Sequence, residues 1–424
     1  MTSRERVALA LEHKEADRIP LDLGGSPTTG MQASAVYVLR QALGLDAPGT
    51  PIKVIEPFQI LGEIKPDLME ILGVDVVPLP SPRGFFGFEN KNWKEWKLFD
   101  GTPVLVPEPF NTLPEPDGSI LIYPEGDKSV PASARMPKDG YYFDAIIRQP
   151  PIEESKLNPE DNMEEFGPIS DYDLAYYARE IDRLWGETDK AILGNFGGTG
   201  FGDIALVPAP WLKHPKGIRD VAEWYMSTVA RRDYIYKVFE RQCEIGIANL
   251  EKICKVVGDR VSVVFVTGTD FGAQHGSFIS PRSYRDLFKP FHVAVNGWIH
   301  KNTKWKTFIH SCGSVWNLYE DFIDAGFDIH NPVQCSAACM DPVELKKTHG
   351  EKIVFWGGGV DTQRTLPFGT PDEVAIEVRE RMRTFGPKGG FVFNTTHNVQ
   401  ARTPKGNLLA LYKTVKDFGK YPLN

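Results

Sequence analysis

Cysteine is scarce in this chain. Five in 424 residues, an odd number, cannot build a disulfide framework and fit a reducing compartment. Positive charge is not in excess: 48 Lys and Arg face 56 Asp and Glu, a formal net charge of −8. That balance argues against a general nucleic-acid binder and against attraction to anionic lipid. No apolar run approaches the roughly 20 residues that a membrane-spanning helix needs. Residues 1–12 are charged throughout and lack the apolar core of a signal peptide, and residues 421–424 carry no lipidation signal. The expectation is therefore a cytoplasmic protein without a membrane partner. Repeats of solenoid period and low-complexity tracts are also missing. With 42% hydrophobic and 25% charged residues, the composition is that of a folded globular chain rather than a disordered one.

Apolar runs of strand length are present in number. They occur at 19–23, 74–79, 191–196, 261–266, 306–309, 327–330, 353–356 and 390–393, with helical patterns between most of them. Thr2 and Glu5 have capping-box spacing. Ser280-Pro281, Asp341-Pro342, Thr370-Pro371 and Thr403-Pro404 each place a cap residue before a proline at the first helical position, and Glu344 and Glu373 complete capping boxes. Gly350 and Gly419 sit where C-terminal glycine stops belong. Eight strands alternating with helices predict an α/β fold, a (β/α)8 TIM barrel, as a single domain over residues 1–424. A doubly wound open sheet competes less well, because Leu23-Gly24-Gly25-Ser26-Pro27 is not a GxGxxG loop. Residues 80–150 differ in character. They are rich in Gly, Pro, Trp and Phe, with turn signals at Asp100-Gly101, Asp117-Gly118 and Glu125-Gly126, and predict a β-hairpin insertion. Trp93, Trp96 and the phenylalanines at 85, 86 and 88 would fill that insertion's own small core.

Barrel enzymes place their chemistry where strands end. Polar, small and ionisable residues follow every one of the later runs, which folding alone does not require. His310-Ser311-Cys312 is the sharpest case. In extended backbone, residues i and i+2 share a side, so an imidazole and a thiol stand together as nitrogen and sulfur donors suited to zinc. The ordinary alternative is a buried Cys beside a His that hydrogen-bonds a neighbouring backbone. A third ligand has to come from elsewhere. His397, after the last strand, ranks first; Cys335 and Cys339, a CxxxC pair ahead of the Asp341 cap, read as small packing residues. Asp270 and Gln274 follow the 261–266 run and suit proton transfer or a polar substrate, with a turn cap as the competing role. Asp361, after three glycines, has the same two readings. The glycine-rich run 197–200 reads as a lid or a weak phosphate loop, and Cys243 and Cys254 as structural thiols within a helix.

Several stretches together resemble the uroporphyrinogen decarboxylase superfamily. They are Arg4-Glu5-Arg6 through Asp17-Arg18-Ile19-Pro20; Asp270 to Gln274 with Ser280-Pro281; His310-Ser311-Cys312-Gly313; Asn331-Pro332-Val333-Gln334; Trp356 to Gln363; and Thr396-His397-Asn398-Val399-Gln400 with Pro404 and Asn407. The resemblance runs from end to end except for the 80–150 insertion, and it implies a (β/α)8 barrel. True uroporphyrinogen decarboxylases carry an arginine-rich RQAGR loop after the first strand. Here Leu21 to Gly30 contains no arginine, and a substrate with eight carboxylates needs several cations.

The resemblance therefore points to the other branch, the corrinoid-dependent methyltransferases. Their zinc-containing members use an H-x-C pair and a distant cysteine near the last strand. His310 and Cys312 match the pair; the distant position holds His397. The implied activity is transfer of a methyl group between a small methylated substrate, first a methyl ether and among these an aromatic one, and the cobalamin of a corrinoid protein. Zn2+ would be held by His310, Cys312 and His397, with methylcobalamin or cob(I)alamin supplied by that partner. His310 and Asp270 would act in catalysis, Asp270 as the acid at the ether oxygen, while Gln274, Asn331, Gln334 and Asp361 orient substrate and ligands. A homodimer is implied as well. The runner-up is a cofactor-free decarboxylase of a smaller carboxylic acid that uses Asp270. A corrinoid or tetrapyrrole carrier or chaperone is a third reading, disfavoured because none of the nine histidines lies in a DxHxxG signature.

Overall fold

The computed structural model describes residues 1–196 and 200–423. Seven parallel strands form one curled sheet in the order Phe391–Val392, Val354–Trp356, Ile329–Asn331, Lys306–His310, Val263–Thr267, Ala191–Gly194 and Val76–Leu79. The predicted eighth run, 19–23, is a strand in its bonding though barely in its length. Leu21 bridges in parallel to Val74 on one side and to Phe393 on the other. The two edges of the sheet are thereby joined and the barrel closes. Pro20 has no N–H to offer a ladder, and the Leu21 N–H goes to the Asp75 carboxylate at 2.9 Å. The ladder is short: the Asp22 N–H donates to the Phe393 carbonyl at 2.9 Å, the Phe393 N–H to the Pro20 carbonyl at 2.8 Å and the Asp75 N–H to the Leu21 carbonyl at 2.7 Å.

Alternation along the strands fills the barrel. Val76, Ala191, Leu193, Val263, Phe308, Ile329, Val354, Trp356 and Val392 point inward and pack as one buried cluster with Val7, Ala10 and Leu11 of the first helix, Ser3–Leu11. That helix starts at the Thr2–Glu5 capping box and plugs the N-terminal end. Below it, the buried Asp75 carboxylate receives Arg6 at 2.7 Å and Arg18 at 2.7 Å, with Ser3 Oγ at 2.8 Å. This end is sealed, so the chemistry belongs to the other.

The outer helices start largely where the sequence places them. Ser280, Asp341 and Thr370 cap as expected, and Glu373 completes a reciprocal box. Asp341 accepts the amides of Val343 and Glu344 by itself. The last helix, Lys405–Phe418, begins one residue later than expected, with Pro404 itself at the cap position and the Thr403 hydroxyl donating to the Gln400 carbonyl. Gly350 and Gly419 end their helices at φ −66° and −77°, without the left-handed turn.

Hairpins stand between the 76–79 and 191–194 strands. Lys94–Lys97 and Pro103–Val106 turn at Asp100-Gly101, and Thr112–Pro114 and Ile120–Ile122 at Asp117-Gly118; the latter pair continues to Ala134–Met136 and Asp144–Ala145. The first hairpin also pairs in parallel with Ile52–Glu56, upstream of residue 80, which the sequence reading did not place in it. Phe86, Phe88, Phe110 and Phe143 are buried beneath these strands, with the Trp96 ring 5.0 Å from Phe110.

Candidate metal centre at the barrel mouth

Phe308 points into the barrel, so His310, two residues on in the same strand, points inward as well and crowns the packed layer. Cys312 continues on that side just past the strand, its Sγ 3.4 Å from His310 Nε2. His397 arrives from beyond the 391–392 strand, its ring centroid 5.3 Å from that of His310 and nearly perpendicular to it. One ligand atom from each of His310, Cys312 and His397 lies within 4.8 Å of the others. The three residues chosen from the sequence as metal ligands are thus brought together at the C-terminal mouth.

Asn331 fixes the His310 ring. Its Nδ2 donates to the Trp356 carbonyl at 2.9 Å, which settles the amide's orientation. Its Oδ1 then faces His310 Nδ1 at 2.6 Å, so Nδ1 carries the proton and the Nε2 lone pair is left facing the cluster. The Thr28 hydroxyl donates to the same Oδ1 at 3.2 Å. Burial lowers the pKa of both imidazoles to about 4, so both are neutral, as ligands must be. Burial, with help from Asp270, pushes the Cys312 thiol well up. A cation in the cluster would reverse that by binding the thiolate. Two nitrogens and one sulfur, with the His310 ring held by Asn331, are a donor set that fits zinc. His397 Nδ1 accepts the Asn398 amide N–H at 2.8 Å, so the proton of this ring sits on Nε2. For this ring to bind a metal, either that bond or the Nε2 proton would have to move.

Asp270 lies at the rim. Its Oδ1 accepts the Cys312 amide at 2.6 Å and stands 4.0 Å from His310 Nε2. The approach is possible because Gly272 and Gly313 touch: a Cβ on Gly313 would meet Gly272 backbone at 2.4 Å, and Gly313 sits at φ +83°. Burial raises the carboxyl's pKa against that hydrogen bond, while 23% of the side chain remains exposed. Asp203 is a second carboxyl nearby. Its pKa is raised to about 7 by burial and, to a smaller degree, by the charge of Asp270. Tyr225, from helix Val221–Ala230, donates its hydroxyl to the Asp270 carbonyl.

The remaining predicted residues brace the loops. Gln334 accepts the Gly313 amide at 2.9 Å and donates to Gln274 Oε1 at 3.0 Å, and Gln274 donates to the Ser336 carbonyl at 2.7 Å. Asp361 accepts the amides of Gln363 and Arg364, and so caps its own turn outside the cluster. Cys335 Sγ reaches only the Val333 carbonyl at 3.6 Å, and Cys339 is exposed; neither joins the cluster. The glycine-rich run at 197–200 falls mostly outside the described residues. Thr28, Asp203 and Tyr225 were not singled out from sequence. Asp203 follows a strand as Asp270 does and carried that same signal; Tyr225 sits mid-helix and carried none.

Residues 209–418 match the family model of uroporphyrinogen decarboxylase (URO-D), so this stretch is a URO-D family domain. A uroporphyrinogen decarboxylase of Trichodesmium erythraeum is 24% identical over 318 residues, 73% of this chain and 80% of the relative. One of Azoarcus is 30% identical over 81 residues, 19% of this chain and 22% of the relative. Among solved structures, a methyltransferase from Methanosarcina mazei superposes with a TM-score of 0.55 at 15% identity, covering 99% of both chains, which supports the barrel fold. No helix among the described residues is long and apolar enough to cross a membrane.

Proposed function

We propose that this chain, with its URO-D family domain, is a methyltransferase that moves a methyl group from a small methylated substrate, a methyl ether, to the cobalamin of a separate corrinoid protein. The observation that carries the reading is the His310–Cys312–His397 cluster, with Asp270 4.0 Å from one of its ring nitrogens. His310, Cys312 and His397 would hold a zinc ion, which supplies Lewis acidity toward the ether oxygen.

The chain's own residues supply the rest. An alkoxide or phenoxide leaves poorly unless a proton reaches it as the C–O bond breaks. Asp270, whose carboxyl is raised by burial and still reaches solvent, would deliver one from the rim. Asn331 holds His310 in its ligating tautomer, and Gln274 and Gln334 keep the loops that carry Asp270 and Cys312 in register. Because the first helix fills the other end of the barrel, a corrinoid partner would have to approach from this mouth, where its cobalt would accept the methyl group.

Decarboxylation remains the second reading, supported by the URO-D relatives. It is weaker for a porphyrinogen, because the loop over residues 22–30 holds no arginine and its hydroxyls are already engaged: Thr29 by the Ser26 amide, and Thr28 on Asn331. The test is metal analysis together with methyl transfer from candidate ethers to a cob(I)alamin protein. One zinc per chain, lost in His310→Ala and in His397→Ala, supports the reading. Metal-free protein that releases CO2 from a carboxylic acid and ignores chelators overturns it.

A further inference from the structure

The hairpins between the 76–79 and 191–194 strands have no part in the mouth chemistry, yet they grip one segment that does. That segment is the loop 200–220. At its start it is stitched to the end of the 263–267 strand: the hydroxyls of Thr267 and Thr269 both donate to the Gly200 carbonyl at 2.9 Å, and Thr269 also reaches the Phe201 carbonyl at 3.1 Å. Asp203 covers Gly268 so closely that a Cβ there would meet its Oδ2 at 2.5 Å. Asp270 is two residues on. The loop is thus the roof under which Asp270 stands.

Its outer half is held by residues 85–149. Arg148 spreads its guanidinium over carbonyls, to Leu212 at 2.6 Å and Ala209 at 2.7 Å. Burial lowers its pKa to about 10, and no carboxylate among the described residues pairs with it. A cation that gives up water and takes no counter-ion is committed to holding backbone. Gln149 accepts the amides of Arg219 and Asp220 at 2.6 and 3.1 Å, at the start of the helix that brings Tyr225 to Asp270. Lys213 pairs with Asp127 at 2.9 Å and Glu125 at 3.2 Å, and the Phe85 ring meets Trp211 edge-on at 5.9 Å.

Turn bonds transmit the grip inward. The Ala209 amide donates to the Leu206 carbonyl at 2.9 Å, and the amides of Leu206 and Val207 donate to the Asp203 carbonyl at 2.9 and 3.1 Å. We propose that the hairpin insertion is a clamp on the 200–220 loop, and that Arg148 is the positioning residue through which it keeps Asp203 and Asp270 placed at the barrel mouth.

The full chain tests this in two ways, with Arg148→Ala and Arg148→Lys. Hydrogen exchange is the first and needs no activity. Arg148→Ala should speed exchange at the amides of Leu206, Val207, Ala209 and Leu212 by about tenfold or more. The Cys312 amide, which Asp270 accepts, should also speed up, while amides 263–266 stay protected. Unchanged exchange at 206–212 or at Cys312, or equal loss at 263–266, overturns the clamp. Kinetics are the second test and rest on the methyl-transfer reading. Arg148→Ala should lower kcat by about 10- to 100-fold with KM little changed, as a small misplacement of a reacting group does. Arg148→Lys, which keeps one donor group on the carbonyls, should recover part of it. A loss confined to KM, or no recovery in Arg148→Lys, overturns the positioning role. If wild-type protein transfers no methyl group, the functional reading falls and exchange alone decides the clamp.

Discussion

Replacing Asn331 with alanine separates the ligand cluster from the residue that prepares it. The wild-type amide accepts the His310 Nδ1 proton at 2.6 Å and donates to the Trp356 carbonyl at 2.9 Å. Alanine leaves that ring without its orienting partner and lets both tautomers form, while His310, Cys312 and His397 all remain. Removal of an acceptor that orients a ligating imidazole weakens metal binding by roughly 10- to 100-fold, about 1.4–2.7 kcal/mol. The fold should weaken separately, because the Trp356 carbonyl and the His310 Nδ1–H lose a buried partner, at about 1–3 kcal/mol for each group left unsatisfied, while the Thr28 hydroxyl keeps Ser26 Oγ. Zinc competition against a chromophoric chelator measures the first effect and denaturant unfolding of the metal-free protein the second. Asn331→Asp is the control. It keeps an oxygen on His310 Nδ1 and makes the imidazole a stronger donor, so zinc affinity should match or exceed wild type even though stability falls. If Asn331→Ala binds zinc within about threefold of wild type, the argument from the tautomer is wrong, whatever the metal's role.

Three further outcomes follow from the same site and its surroundings. Asp270→Asn keeps an oxygen for the Cys312 amide, so the zinc content measured by atomic absorption should hold while methyl transfer falls by about 100-fold or more; unchanged turnover removes Asp270 as the acid. His397→Ala should abolish stoichiometric zinc whereas Cys339→Ala leaves it intact, since only the former belongs to the cluster; equal losses would show the ligand set to be wrong. Asp22 is buried against Trp356 Nε1 at 2.8 Å, and burial raises its pKa to about 6 from an unfolded value near 3.8. A raised carboxyl stabilises the fold fully below the unfolded pKa and loses that contribution as pH climbs through 6. This group should thus make the protein about 1–1.5 kcal/mol more stable at pH 5 than at pH 8, a difference that Asp22→Asn abolishes in urea unfolding at the two pH values; its persistence in the variant assigns it to other groups.

The legible part of the molecule is the part governed by local periodicity. Runs such as 261–266 and 306–309 alternate or stay apolar because the barrel interior demands it, and Ser280, Asp341 and Thr370 are visible as caps because each satisfies amides a few residues away. His310 and Cys312 could be read as a pair because extended backbone puts i and i+2 on one side. What stayed hidden is set by contacts between distant segments. The 19–23 run closes the barrel through Pro20, Leu21 and Asp22 alone, with the Leu21 N–H taken by the Asp75 carboxylate. The amides of Gln274 and Gln334 look like substrate ligands in sequence, since nothing local tells that they bond to each other across 60 residues. Asp361 looks the same as Asp270 until the turn closes and its carboxylate caps residues 363 and 364.

The distribution of cations bears on which chemistry the mouth can host. The buried arginines are already paired: Arg6 with Asp75 and Asp17 at the sealed floor, Arg40 with Asp46 and Asp67, Arg219 with Glu165. Arg148 is spent on carbonyls of the roof loop. The mouth itself presents neutral imidazoles, a thiol and two carboxyl groups whose pKa values are raised. A substrate bearing many carboxylates would give up water in such a funnel and meet no guanidinium among its named residues. A neutral methyl ether carries no such penalty, and the acid it needs is a carboxyl that burial already biases toward holding its proton. The placing of the cations thus favours the same one of the two proposed readings as the nitrogen–sulfur donor set does.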